Sequence, residues 1–218
     1  MKGNAAVLWT GGKDCALAFY KAQLEGYSIT HLVTFTPENP NFVAHSLLLM
    51  EEQVESIGLP HIKVLVKNPM KESYEDGIAR LKNQYDIETL ITGDIDEIEN
   101  HGNWIEERSQ KSGMHVHNPL WKKNRKELLN ELIHLNFNVI FTLVKKPFFN
   151  TNWVGRKIDL EVIRKLEKLE VDLCGENGEY HTMVLNAPFF QKEISTQSFQ
   201  VKEEDQYYYL KHNNSSSD

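Results

Sequence analysis

The chain has 218 residues, which suits one large domain or a domain with a small appendage and leaves room for a core that needs no disulfide or metal staple. Hydrophobic residues make up 40% and charged residues 25%, the mix of a globular protein, and the formal net charge of -7 argues against broad nucleic-acid binding, which needs a basic field. Only Cys15 and Cys174 are available, so there is no disulfide framework and no paired-cysteine metal motif. No apolar run has the length of a bilayer or of a signal core, and the expectation is a cytoplasmic enzyme without membrane contact.

Ala5–Trp9 is a short apolar run, read as a buried strand, and it stops at Thr10-Gly11-Gly12. A helix is expected over Asp14–Glu25, closed by Gly26. The next elements are a strand over Ile29–Phe35, a helix over Ser46–Ile57, a strand over Ile62–Val66 and a helix over Tyr74–Tyr85. A strand over Thr89–Thr92, a helix over Glu97–Lys111, a short extended piece at His115–His117, a helix over Arg125–Leu135 and a strand over Val139–Val144 follow. This alternation predicts an α/β fold, a parallel sheet with helices on both faces. Ligands bind beyond the carboxyl ends of such strands, which here are Thr10–Asp14, Phe35–Pro37, Thr92–Asp96 and Lys145–Pro147. After Asn150 a helix over Leu160–Leu169 and extended segments to Tyr209 form a smaller C-terminal α+β region. The expected division is 1–148, 149–212 and a flexible tail at 213–218.

The segment Thr10-Gly11-Gly12-Lys13-Asp14-Cys15 lies between a buried strand and a helix. Glycines let the backbone approach an anion and take positive φ, and the helix start offers free N–H groups and a positive dipole end. Lys13 adds a mobile positive charge for phosphate oxygens, and Asp14 suits both a helix start and a Mg²⁺ ligand. A bare Gly-Gly-Lys triplet is more often a turn with a surface lysine; its position after the first buried strand favours the phosphate reading. The Walker A spacing is absent.

A second cluster, Cys174-Gly175-Glu176-Asn177-Gly178-Glu179-Tyr180-His181-Thr182, packs carboxylates, a phenol, an imidazole and a hydroxyl into nine residues. Asn177-Gly178 is also a hairpin signal, so a polar turn is the plainer reading, with Glu176, Glu179, Tyr180 and His181 carried on it. Asp94 and Asp96 close the Thr89–Thr92 strand and suit either a site or a helix start. Phe35 is divided between an adenine neighbour and core packing, and His45 between the nucleotide site and a surface cap. Trp121 reads as core or pocket wall, Lys122–Lys126 as a solvated face, and His115 with His117 as too few ligands for a metal.

The loop Thr10–Cys15 resembles the pyrophosphate motif Ser-Gly-Gly-x-Asp-Ser of the N-type ATP pyrophosphatases, with Thr10 keeping a hydroxyl and Cys15 replacing the second serine by a weaker donor. Cys174–Thr182, with Val184 and Ala187-Pro188-Phe189-Phe190, resembles the hallmark of the diphthine–ammonia ligase family. Gly93-Asp94-Ile95, Pro119-Leu120-Trp121, Leu128-Leu129 and Val154-Gly155-Arg156 are similar to that family too. The resemblance runs from about residue 5 to about residue 195. It implies an adenine nucleotide alpha hydrolase-like fold and an ATP-dependent amide ligase. ATP, with Mg²⁺, adenylates the carboxylate of diphthine on elongation factor 2, and ammonia displaces AMP. It further implies nucleotide contacts from Thr10, Gly11, Gly12, Lys13, Asp14, Cys15, Phe35 and Gly93. Acceptor contacts would come from Asp94, Glu176, Glu179, Tyr180, His181 and Thr182, a catalytic part would fall to Lys13, Asp14, Glu176 and Glu179, and Asp14 would touch the metal. A carboxylate among these would hold ammonium and take its proton. A relative acting on another carboxylate or carbonyl, and a non-catalytic ATP-binding module, remain as competing readings, and a homo-oligomer stays open. No glutaminase region is evident, so free ammonium is the simplest nitrogen source.

Overall fold

A computed structural model describes residues 2–40, 43–97 and 102–213. In chain order its elements are β1 (Lys2–Leu8), α1 (Lys13–Leu24), β2 (Tyr27–Thr36), α2 (Leu47–Ile57), β3 (His61–Leu65), α3 (Met70–Tyr85), β4 (Thr89–Ile91) and α4 (Trp104–Ser109). They continue with β5 (His115–His117), α5 (Arg125–His134), β6 (Asn138–Lys145), α6 (Leu160–Leu166), β7 (Tyr180–Asn186), β8 (Phe199–Glu203) and β9 (Tyr207–His212). The chain forms two compact units. The first comprises Met1–Thr10, Asp14–Asn41 and Gly58–Lys122; the second comprises Gly11–Lys13, Phe42–Ile57 and Lys123–Asp218.

The first unit holds a parallel sheet in the order β3-β2-β1-β4-β5. The chain moves outward from β1 to β3 and then returns to the other side of β1 as β4. Right-handed crossovers therefore put α1 and α3 on opposite faces, and the order reverses between β1 and β4. β1 is central, so both of its faces are covered and Ala5, Ala6 and Val7 are all fully buried. On one face Ala6, Val33, Ile62, Val64 and Leu90 pack under Ile78 and Leu81 of α3 and Ile105 of α4. Each fully buried aliphatic side chain contributes about 1.5–3 kcal/mol. The expected helix at Glu97–Lys111 is shorter: Asn103 caps it by accepting from the Glu106 N–H, so it starts at Trp104 and tightens into a 3₁₀ turn at Gln110–Ser112. Residues 98–101 of that expectation lie outside the described residues, as do 214–218 of the expected tail.

The second unit holds an antiparallel sheet in the order β7-β6-β9-β8. This corrects the expectation for Val139–Val144. The strand exists as β6, but it pairs antiparallel with β7 and β9 instead of extending the parallel sheet, so Lys145–Pro147 is not a carboxyl-end loop of that sheet. A continuous apolar run signals a strand buried on both faces and says nothing of its partners. Phe141, Phe149, Trp153 and Tyr180 pack edge to face or tilted at centroid distances of 4.8–6.4 Å. The helix expected at Ser46–Ile57 is α2, and it belongs to this unit: Ser56 Oγ donates to the Lys192 carbonyl at 2.6 Å and Gln191 N donates to the Ser56 carbonyl at 2.9 Å. α6 ends at Leu166, three residues early. Among the described residues no helix is long and apolar enough to cross a membrane.

Candidate functional site

In the first unit the chain leaves β1 through Trp9, fixed by its N–H to Val33 O at 2.7 Å and by Thr34 Oγ1 donating to Trp9 O at 2.6 Å. Thr10 Oγ1 then reaches Cys15 Sγ at 3.6 Å, so the hydroxyl and the thiol that replace two serines engage one another. At the end of β4 a Cβ on Gly93 would lie 2.5 Å from the Asp14 carbonyl carbon and 2.6 Å from Cys15 N. Only glycine lets the end of β4 approach the first turn of α1 this closely, at the point where strand order reverses. Asp94 is held by Thr92 Oγ1 and Asn103 Nδ2, both donating to its Oδ2 at 2.6 Å. Asp96 pairs with Lys122. Phe35 stacks on Tyr74 with centroids 4.3 Å apart and planes 10° apart, packed against the core.

In the second unit Gly11 has φ +78, and its carbonyl accepts from Val184 N at 2.9 Å and from Gln53 Nε2 at 2.9 Å. The same amide donates to Val184 O at 2.7 Å. Lys13, expected from the sequence as a mobile positive charge for phosphate oxygens, is not the surface lysine of the plainer turn reading. It is 3% exposed; its N–H donates to Thr182 Oγ1 at 3.2 Å and its Nζ donates to the Cys174 carbonyl at 2.6 Å, with the Tyr180 ring 5.4 Å away. A buried ammonium needs such acceptors. The cluster Cys174–Thr182 thus meets Lys13 through a carbonyl, a hydroxyl and a ring.

Within that cluster Glu179 is buried and organises its own loop. Its Oε1 accepts from Asp172 N at 2.8 Å and Asn177 Nδ2 at 3.1 Å, and its Oε2 accepts from Asn177 N at 3.1 Å. Tyr180 donates its hydroxyl to Leu173 O. Asn177-Gly178 is a turn leading into β7 rather than a hairpin between two strands. Glu176 is exposed. His181 lies edge to face with His45, centroids 5.3 Å apart at 74°. Burial, followed by His181 and Lys13, pushes His45 down to about 4; burial, followed by Lys13 and Lys145, holds His181 below the usual imidazole range.

Gln53, Asp172 and Asn103 were not singled out from the sequence. Gln53 left a signal: it falls on the buried stripe Leu49, Met50, Ser56, Ile57 of α2, where a polar residue needs a partner. Asp172, which accepts from Cys174 N at 2.8 Å and from Arg125 Nε at 3.2 Å, left none. Among the described residues no group of three or more His, Cys, Asp or Glu is placed to hold a metal ion.

A doubly wound parallel sheet with a glycine turn at its switch point is the build of the nucleotide-binding α/β class. The chain belongs to the diphthamide synthase family, whose N-terminal domain matches residues 3–116 and whose C-terminal domain matches residues 124–215. A fission-yeast protein named diphthine–ammonia ligase is 31% identical over 118 residues, 52% of this chain and 19% of that one. A mouse protein of the same name is 23% identical over 224 residues, 89% of this chain and 83% of that one. The chain thus spans about a fifth of the length of the fission-yeast relative. A solved structure described as a predicted subunit of a tRNA methyltransferase from Methanocaldococcus jannaschii aligns over 88% of this chain and 100% of that one, at 20% identity and a TM-score of 0.47.

Proposed function

We propose that the protein is an ATP-dependent ligase that adenylates a carboxylate with release of pyrophosphate and then amidates it with ammonia, releasing AMP. The observation that carries this reading is the match of both family domains in order, with the loop Thr10–Cys15 directly after the central strand. Thr10, Gly11, Gly12, Lys13, Asp14, Cys15 and Gly93 are the nucleotide-contacting residues in this reading. A carboxylate oxygen attacks the α-phosphorus, and the bond to the pyrophosphate leaving group breaks. The start of α1 and the Lys13 ammonium stabilise the charge that departs. Asp14, partly exposed in the first turn of α1, fits the single carboxylate that a nucleotide-bound Mg²⁺ takes beside phosphate and water oxygens. Such an ion supplies further charge neutralisation to the leaving group.

Asp94, Glu176, Tyr180, His181 and Thr182 handle the acceptor, and Glu179 acts by shaping the loop that presents them. The named relatives are diphthine–ammonia ligases, so the acceptor proposed is the diphthine carboxylate of elongation factor 2. The test is product analysis after incubation with ATP, Mg²⁺, ammonium and elongation factor 2 carrying diphthine. AMP, pyrophosphate and the amide are expected together. ADP with phosphate, or ATP binding without turnover, overturns the adenylation mechanism.

A further inference from the structure

The antiparallel sheet of the second unit treats its two edges differently. β7 is covered, since Val184 N donates to Gly11 O at 2.9 Å and Val184 O accepts from Gln53 Nε2 at 2.7 Å. β8 is the opposite edge, and among the described residues no strand pairs with its outer side. Unpaired edges are commonly blunted by a proline or a bulge. β8 has neither, and it pairs with β9 without a register shift from Phe199 opposite His212 to Glu203 opposite Tyr208. Antiparallel partners exchange both hydrogen bonds at every second pair. Glu204 N donates to Tyr207 O at 2.9 Å and Asn213 N to Ser198 O at 2.6 Å, so the residues that exchange bonds with β9 are Ser198, Gln200, Lys202 and Glu204. The N–H and carbonyl of Val201 and of Glu203 therefore point outward. Phe199 turns its carbonyl outward too, while its N–H donates to Thr196 O at 3.0 Å. Val201, in the middle, is 43% exposed. It shares a face of the strand with Phe199 and with Glu203, which pairs with Lys146 at 2.7 Å; Gln200 and Lys202 lie on the other face.

We infer that β8 pairs antiparallel with β8 of a second copy of this chain, about a twofold axis at Val201, so that the two four-stranded sheets become one. The choice of partner rests on the strand's complementarity to itself. With Val201 opposite Val201, the Val201 N–H of each copy donates to the Val201 carbonyl of the other, and each Glu203 N–H donates to the other's Phe199 carbonyl. The side chains agree with this register. Gln200 faces Lys202 of the second copy, whose ammonium donates to its amide oxygen; Val201 meets Val201, and no like charges are opposed. Other registers fit worse. Sliding the copies by two residues one way sets Lys202 against Lys202, and sliding them two residues the other way leaves Glu203 beyond the start of the facing strand at Phe199. A slip of one residue sets outward groups against groups already spent on β9.

The test is sedimentation equilibrium of the full chain over a wide range of concentrations. A monomer–dimer equilibrium is expected, and a monomer throughout overturns the inference. Val201→Pro removes an N–H that faces outward and none that faces β9, so it should abolish the dimer while leaving the thermal midpoint of the dilute protein near the parent's. Gln200→Glu sets a carboxylate opposite Lys202 of the second copy on both sides of the axis and should tighten the dimer several-fold; Gln200→Lys should weaken it several-fold. Gln200 is exposed, so these two changes decide the matter even where Val201→Pro does not fold. A dimer indifferent to the Gln200 changes is held elsewhere, and that result overturns the inference. No readout here involves ATP, so the outcome is independent of the ligase reading.

Discussion

Gln53 is completely buried, and a buried amide persists only where its atoms are paired. Its Nε2 donates to Gly11 O and to Val184 O, so one side chain joins the glycine loop, α2 and β7. A Cβ at Gly11 would lie 2.3 Å from Gln53 Oε1, which makes the fit mutual. Gln53→Leu removes the donor shared by two carbonyls and should cost about 1–3 kcal/mol in urea unfolding. Gln53→Glu should cost more, because it sets a carboxylate against two carbonyl oxygens. Equal stability of the three proteins would show that the amide is incidental.

Among the elements, α4 shows how a short helix is fixed by what precedes it. Asn103 caps it through Oδ1, while the other side of the same amide donates to Asp94. The two roles separate by substitution. Asn103→Ala loses the cap, worth about 1 kcal/mol. Asn103→Asp keeps an equivalent cap but replaces the donor to Asp94 with a second carboxylate, so it should still destabilise. A thermal midpoint for Asn103→Asp equal to the parent's would remove Asp94 from the account. β6 illustrates the opposite case, where the element was legible in its apolar run and the sheet it joins was not, because its partners β7 (from Tyr180) and β9 (from Tyr207) lie far along the chain from its end at Lys145.

At the scale of the molecule, domains in sequence and units in space differ. The family domains meet between residues 116 and 124, yet the second unit also takes Gly11–Lys13 and Phe42–Ile57 from the first half of the chain. Without α2, Val184 O loses Gln53 and Lys192 O loses Ser56. A fragment of residues 123–218 should therefore show no cooperative thermal transition by circular dichroism. A sharp transition in the fragment would mean that the interleaved segments are dispensable.

The sequence by itself determined the order and type of most elements, because hydrophobic period, glycine stops and caps act over a few residues. It determined the strand–glycine–helix loop and the polar cluster at Cys174–Thr182 for the same local reason. Only the tertiary structure decided that β6 leaves the parallel sheet, that α2 serves the second unit, that Lys13 is buried against Cys174 and Thr182, and that Glu179 is consumed by its own loop. Each of these turns on hydrogen-bond partners, and for β6, α2 and Lys13 those partners lie far apart along the chain. A donor's chemistry is written in its residue type, while the acceptor it finds is fixed only when distant segments meet.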